Sequence, residues 1–248
     1  MKRVSLGAAW LETTPFIRRE AALLLPVALL FLAVPLALMF YAVPPELRQM
    51  QLDPGAPRPT VPAGSVLAIL LCLLAVMGGT LILYALALKP GISLREALGL
   101  AVRRLPVALG AALIAGVAVL VPVVLTSAIA PRLGAVAMLI GAAVVSIRLL
   151  LINAVVVDRP VGVIEALRTG WTMTKGQAWR LALFLVVVTL AITLAQFLGN
   201  VMLGLIGFAI GGKGMALETG NIGAAIALAL GQLYLIVMIA RMYRQLSA

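Results

Sequence analysis

Few side chains in this sequence could take part in chemistry. The 248 residues contain eight acids, one cysteine (Cys72) and no histidine. Histidine is the commonest zinc ligand and the only side chain with an ordinary pKa near neutrality, so most metal-dependent and acid–base mechanisms have no residue to carry them. A single cysteine cannot form an internal disulfide. The sequence therefore predicts a protein that is not an enzyme and that uses no cofactor or metal.

The positions of the acids argue against proton-coupled transport. Such transporters normally need ionisable residues inside the membrane. All eight acids lie outside the long apolar stretches; they are Glu12, Glu20, Glu46, Asp53, Glu96, Asp158, Glu165 and Glu218.

The apolar stretches themselves predict a membrane protein. Hydrophobic residues make up 64% of the chain, charged residues 11%, and the mean hydropathy is +1.18. A water-soluble chain could not cover its surface with so few charges, whereas about 20 apolar residues in a helix cross the ~30 Å of hydrocarbon in a bilayer. We expect an all-α polytopic protein forming a single membrane domain over residues 1–248. Six transmembrane helices are predicted, at about 21–43, 64–88, 105–126, 133–157, 179–200 and 222–241.

The basic residues predict the orientation. Of the 19 lysines and arginines, only Arg48, Arg58, Arg132 and Lys213 fall on one side of the predicted spans. Because lysine and arginine accumulate in cytoplasmic loops, both termini are predicted to be cytoplasmic, in a bacterial inner membrane. The net charge of +11 then favours anionic lipid headgroups at the cytosolic face as partners, rather than nucleic acid. The sequence does not identify any protein partner.

Arg148 is the one charge predicted to lie deep in the membrane. It precedes Asp158 by ten residues, about 15 Å along a continuous helix, and an arginine at that depth costs roughly 2.5–3.5 kcal/mol on insertion scales. Three interpretations are open: the helix ends early and Arg148 reaches the interface, Arg148 joins neighbouring helices, or it binds a lipid phosphate or substrate anion. The candidate polar partners are Asn153, Gln196, Asn200 and Gln232, although such amides more often form hydrogen bonds between helices than a pathway.

A similar pattern begins at three places, Val4, Ile92 and Val161. Each copy has a capping position, Ser5, Ser93 or Gly162, followed by a short amphipathic stretch and then an apolar run. The pattern predicts short helices in the cytosolic interface and three repeat-like units, 1–88, 89–157 and 158–248. The alternative is that any short helix between two spans becomes amphipathic without duplication.

The third unit resembles a known bacterial family. The matching residues are Arg148, Asp158, Ala166, Leu167, Trp171, Thr174, Lys175 and Gly176, and the pattern resembles the membrane domain named for glycerophosphoryl diester phosphodiesterases. That resemblance implies an integral membrane module. The catalytic half of such fusions is a barrel with paired histidines, for which this chain has neither the histidines nor the length, so hydrolysis is not implied.

Two functions remain as hypotheses. The first is a non-catalytic membrane module that interacts with lipids or assists envelope proteins. The second is a small transporter or carrier of a lipid or anionic solute, which would need a polar cavity near the middle of the bilayer. Residues 201–214 either extend the fifth span or lie at the outer interface.

Overall fold

The computed structural model describes residues 5–42 and 62–247, and every regular element within them is helical. Most of residues 44–63, between the first and second predicted spans, lie outside the described residues. The elements are α1 (Leu6–Arg19), α2 (Ala21–Ala28), a π-helical segment (Leu29–Ala33), α3 (Val34–Ala42), α4 (Ala63–Leu88), α5 (Leu94–Ile129), α6 (Pro131–Arg148), α7 (Ile152–Asp158), α8 (Val163–Met173) and α9 (Ala178–Ser247).

Within the described residues, five helical stretches are long and apolar enough to cross a membrane. They are Ala21–Tyr41, Ala63–Leu88, Leu94–Ile129, Arg132–Asp158 and Ala178–Ser247. The prediction of a helical membrane protein agrees with these stretches. The last of them contains two of the predicted spans, and its geometry is considered below.

The first capping position begins a separate short helix, as predicted. The Ser5 side-chain oxygen accepts a hydrogen bond from the Ala8 N–H at 3.3 Å, which satisfies one free donor of the first turn. Helix α1 ends with Arg18 and Arg19 in its last turn, where cations interact favourably with the helix dipole. A turn at Glu20 then separates α1 from the apolar α2.

The second capping position starts a much longer helix than predicted. Ser93 and Glu96 form the predicted capping box, with the Ser93 N–H donating to the Glu96 carboxylate at 2.9 Å. The helix then continues through Pro106 and Pro122 to Ile129. The prediction of a separate interfacial helix from Ile92 is therefore wrong, because no glycine turn or capping residue interrupts residues 94–105, and a proline within a long apolar helix is tolerated.

The first apolar helix contains a widened turn before Pro35. The Val34 N–H bonds to the Leu29 carbonyl, five residues back, which is a π-helical bond. Pro35 has no N–H to donate to the carbonyl four residues earlier, and its ring would collide with that group. The chain thus accommodates Pro35 by a local widening rather than by ending the helix.

The fourth predicted span is divided by a short turn. Helix α6 ends at Arg148, residues 149–151 form a turn, and α7 begins at Ile152. The structure therefore has the early helix end of the first interpretation, while a position of Arg148 at the interface stays a prediction; the continuous helix assumed for 133–157 is corrected. The cause is not evident from local propensity, because residues 149–151 are all leucine.

Helix α9 is two helices joined at a pair of glycines. Gly211 (φ −140°, ψ 18°) and Gly212 (φ 71°, ψ −156°) leave helical geometry, and the positive φ at Gly212 suits glycine because it has no Cβ. We call residues 178–210 the first arm and residues 213–247 the second arm. The apolar stretch from 201 therefore continues the same helix to residue 210, which agrees with the interpretation that it extends the fifth helix.

The chain divides into two compact units. The first comprises Met1–Ala21, Leu81–Leu190 and Tyr234–Ala248, and the second comprises Ala22–Thr80 and Ala191–Leu233. In the first unit, α7 is deeply buried over Val155, Val156 and Val157. In the second unit, Gly79 of α4 packs against the backbone of Phe31, and the two arms of α9 meet at Gly199 and Gly223.

Candidate functional site

The site predicted around Arg148 lies in the first unit, at the end of helix α6. Helices α5 and α6 pack antiparallel, with Gly134 against Ser127 and Gly141 against Val119. Continuing that register brings Arg148 level with the region of Ala112. This level lies inside the predicted third span, about 10 Å from its start at residue 105 by the rise of an α-helix. Arg148 is therefore level with the first half of the predicted third span, beside helix α5.

An aromatic ring holds the Arg148 side chain. The guanidinium carbon lies 5.0 Å from the centre of the Trp171 ring, near the end of α8. Cation–π contacts of this kind contribute about 0.5 kcal/mol when exposed and ~2 kcal/mol when desolvated. The ring covers one face of the guanidinium, so it limits the directions from which an anion can approach.

A buried hydroxyl joins the ends of α6 and α8. The Thr174 side chain is fully buried, and it lies 3.3 Å from the Arg148 carbonyl oxygen, 3.2 Å from that of Gly170 and 3.1 Å from that of Trp171. A hydroxyl has one proton to donate, so these carbonyls share it. Gly170 is buried too, and a Cβ there would lie 3.8 Å from the Arg148 carbonyl oxygen. The close approach at Gly170 and the Thr174 hydroxyl together place α8 against the last turn of α6.

The Arg148 guanidinium is left with an unused donor. Its Nη1 atom is buried and has no hydrogen-bond partner among the described residues. A buried charged donor without an acceptor is costly. Guanidinium presents its N–H groups in a planar fork that matches carboxylate or phosphate. The cluster of Arg148, Trp171 and Thr174 is therefore suited to binding an anion, and it contains no group placed to act as an acid, base or nucleophile.

The four amides predicted as partners lie in different parts of the molecule. Asn153 is half-buried in α7, in the first unit. Gln196, Asn200 and Gln232 belong to the second unit. Asn200 faces the second arm of α9, since a Cβ on Gly220 would lie 3.1 Å from its amide nitrogen. That contact agrees with the use of amides between helices; a role of the four amides in binding stays a prediction.

Two interactions in the first unit could not be predicted from the sequence. The buried Tyr243 hydroxyl donates to the Asp158 carboxylate at 2.7 Å, and the Arg241 guanidinium lies 4.4 Å from the Phe16 ring centre with its Nε buried and unpartnered. These partners are 85 and 225 positions apart, and no local pattern reports such pairs. The sequence shows only that a charged or phenolic side chain stands at the end of an apolar run, which does not identify its partner.

The acids and cysteine of the described residues do not form a metal site. Over residues 5–42 and 62–247, no three acids or cysteines gather in a way that could hold a metal ion.

Comparison with known proteins adds no relative: no protein-family model, curated protein or solved structure matches this chain.

Proposed function

We propose that this chain is a non-catalytic integral membrane module of the bacterial inner membrane, and that it binds anionic lipid through Arg148. One observation carries the proposal: the Arg148 guanidinium is stacked on Trp171 and keeps a buried N–H donor without an acceptor. A lipid phosphate is the anion that a bilayer supplies in both headgroup layers, and it accepts two parallel hydrogen bonds from one guanidinium.

Exposed cations around the site support a lipid rather than a soluble ligand. Arg168 on α8, Lys175 in the following turn and Arg180 at the start of α9 are all exposed. Basic residues close to a membrane surface attract anionic headgroups by about 1 kcal/mol each. Lipids would therefore be concentrated beside Arg148 before one of them is bound.

The proposal includes six transmembrane helices with both termini in the cytoplasm. Two observations support it. The break at Gly211 and Gly212 divides α9 into two arms, each long enough to span. In addition, the Ser5 N–H donates to the Gln245 side chain at 2.9 Å, so the two ends of the chain lie together. An even number of crossings has this result, and the excess of basic residues on the same side favours the cytoplasm.

The family relationship and the repeats also remain part of the proposal. Three of the residues on which the resemblance to the phosphodiesterase membrane domain depends, Arg148, Trp171 and Thr174, contact one another. A shared structural role for them would account for their occurrence at this spacing. For the threefold repeat, the separate helices α1 and α8 fit the pattern, whereas the second copy is fused to its span.

The test is the lipid content of the protein after gentle extraction from its own membrane. We expect native mass spectrometry to find phosphatidylglycerol or cardiolipin retained above its share of the membrane. Arg148→Leu should lower that retention about tenfold, which corresponds to ~1.4 kcal/mol of binding free energy. Arg103→Leu, which removes an exposed arginine on α5, is the matched control and should change retention little.

Two results would contradict the proposal. Retention that is the same in Arg148→Leu and in the wild type would return Arg148 to a purely structural role. Rapid flux of a small anion into liposomes containing the pure protein would favour the carrier hypothesis instead.

A further inference from the structure

The two arms of α9 form an open, mostly apolar groove in the second unit. Its volume is about 470 Å³, within the usual range of sites that hold small molecules. Both arms contribute to its walls. The lining residues on the first arm are Asn200, Val201, Gly204, Leu205 and Phe208, and those on the second arm are Lys213, Ala216 and Leu217.

Small residues at the contact between the arms create the groove. A Cβ on Gly204 would lie 3.3 Å from the Ala216 carbonyl oxygen, and one on Gly223 would lie 3.0 Å from the Leu203 Cβ. The backbones can therefore approach closely, as at glycine contacts between membrane helices. The larger side chains of Leu205 and Phe208 are exposed beside this contact, so they form walls and do not fill the space.

The groove has a charge at one end only. Lys213 is exposed and begins the second arm directly after the glycine break. Asn200 lies at the other end, eight residues before Phe208 and thus about 12 Å further along the first arm. Val201, Leu205 and Leu217 line the groove between these ends. A groove with a lysine at one end and apolar walls complements an amphiphile that has an anionic head and a hydrocarbon chain.

The length of the first arm sets the level of Lys213. Residues 178–210 extend about 50 Å at 1.5 Å per residue, compared with ~30 Å for the hydrocarbon and 40–45 Å with both headgroup layers. With the start of the arm at one interface, marked by the exposed Trp179, the break reaches the headgroups of the opposite leaflet. The groove below Lys213 then runs along the acyl chains of that leaflet.

We infer that this groove binds one acyl chain of an anionic phospholipid of the outer leaflet, with the phosphate at Lys213. The assignment to the outer leaflet rests on the proposed orientation, whereas the groove is separate from the site proposed at Arg148, since its residues belong to another unit. A neutral lipid or a second copy of the chain would use the apolar walls equally well, but neither would use the charge of Lys213.

The experiment places the full chain in nanodiscs that contain a photoactivatable phosphatidylglycerol, with the reactive group on the acyl chain. A phosphatidylcholine with the same chains is the comparison probe. We expect phosphatidylglycerol to label the peptides covering residues 200–217 several-fold more than phosphatidylcholine does. Lys213→Gln should lower that labelling about fivefold, and Lys213→Arg should retain it. Arg148→Leu should leave this labelling unchanged.

A second pair of variants tests the groove. Ala216→Phe fills the groove and should abolish labelling, whereas Ala209→Phe adds the same ring at an exposed position that does not line the groove and should not. Thermal unfolding of both variants shows whether they fold, and the Lys213 variants test the inference even if Ala216→Phe does not. Equal labelling by the two lipids, or no effect of Lys213→Gln, would overturn the inference.

Discussion

Trp171 positions the Arg148 guanidinium, and Thr174 positions the Arg148 backbone. Aromatic stacking covers one face of the guanidinium and the Thr174 hydroxyl holds the adjoining backbone. The position of Arg148 near the end of an apolar run follows from the chain order alone. Its contact with Trp171 does not, because a tryptophan near an apolar run is equally typical of an interface anchor.

The stack at Trp171 can be tested by substitution. Trp171→Ala should lower the free energy of unfolding by about 1–2 kcal/mol and weaken anionic-lipid retention, since the guanidinium loses its support. Trp179→Ala removes the same side chain from a position that is 81% exposed and should affect both quantities less. Thermal melting and native mass spectrometry measure the two effects. Equal effects of the two substitutions would show that Trp171 is only an anchor.

The hydrogen bond from Tyr243 to Asp158 should be stronger than the one at Tyr234. Bonds to a charged group contribute about 1.5–3 kcal/mol, and neutral ones about 0.5–1.5 kcal/mol. Tyr234 lies 3.0 Å from the Thr14 hydroxyl, a neutral partner. We therefore expect Tyr243→Phe to lower the melting temperature more than Tyr234→Phe does. Asp158→Asn, which keeps an acceptor oxygen, should fall between Tyr243→Phe and the wild type.

At the scale of the element, glycines decide where helices meet and where they end. The capping positions at Ser5, Ser93 and Gly162 could be located in the sequence because cap chemistry is local. The turn after Arg148 could not, because residues 149–151 are all leucine and the Arg148 carbonyl is bonded by Thr174, 26 positions later.

Two adjacent glycines in α4 provide a controlled test of this packing. A Cβ on Gly79 would lie 2.5 Å from the Phe31 Cβ, whereas nothing lies within 4 Å of one on Gly78. Gly79→Ala should therefore destabilise the protein, because backbone must move to admit the methyl group. Gly78→Ala should stabilise it by up to about 1 kcal/mol through helix propensity. Opposite shifts in the melting temperature are the expected outcome. A Gly79→Ala protein that is as stable as Gly78→Ala would mean that the π-helical segment moves aside without cost.

At the scale of the whole molecule, hydropathy predicts a helical membrane protein and charge predicts its orientation. Neither predicts which helices touch. Side chains facing lipid and those facing other helices are equally apolar here, so the sequence contains no contrast that separates an inner face from an outer one.

Labelling with a membrane-impermeant maleimide tests the proposed orientation. In a Cys72→Ser background, Lys213→Cys should react from the periplasmic side of intact cells, and Gln245→Cys should react only after the membrane is opened. Both positions are at least partly exposed. Reaction of Gln245→Cys in intact cells would contradict the arrangement with six crossings and cytoplasmic ends.

The bonds between Ser5 and Gln245 have a consequence for biosynthesis. Helix α1 is synthesised long before its contacts at Tyr234, Arg241 and Gln245. Domains generally fold as units while synthesis proceeds from the N-terminus, but here an early helix must wait for a late one to complete these contacts. A nascent chain stalled before residue 234 should therefore expose Phe16 to protease or to a chaperone more than a chain that includes Arg241 does.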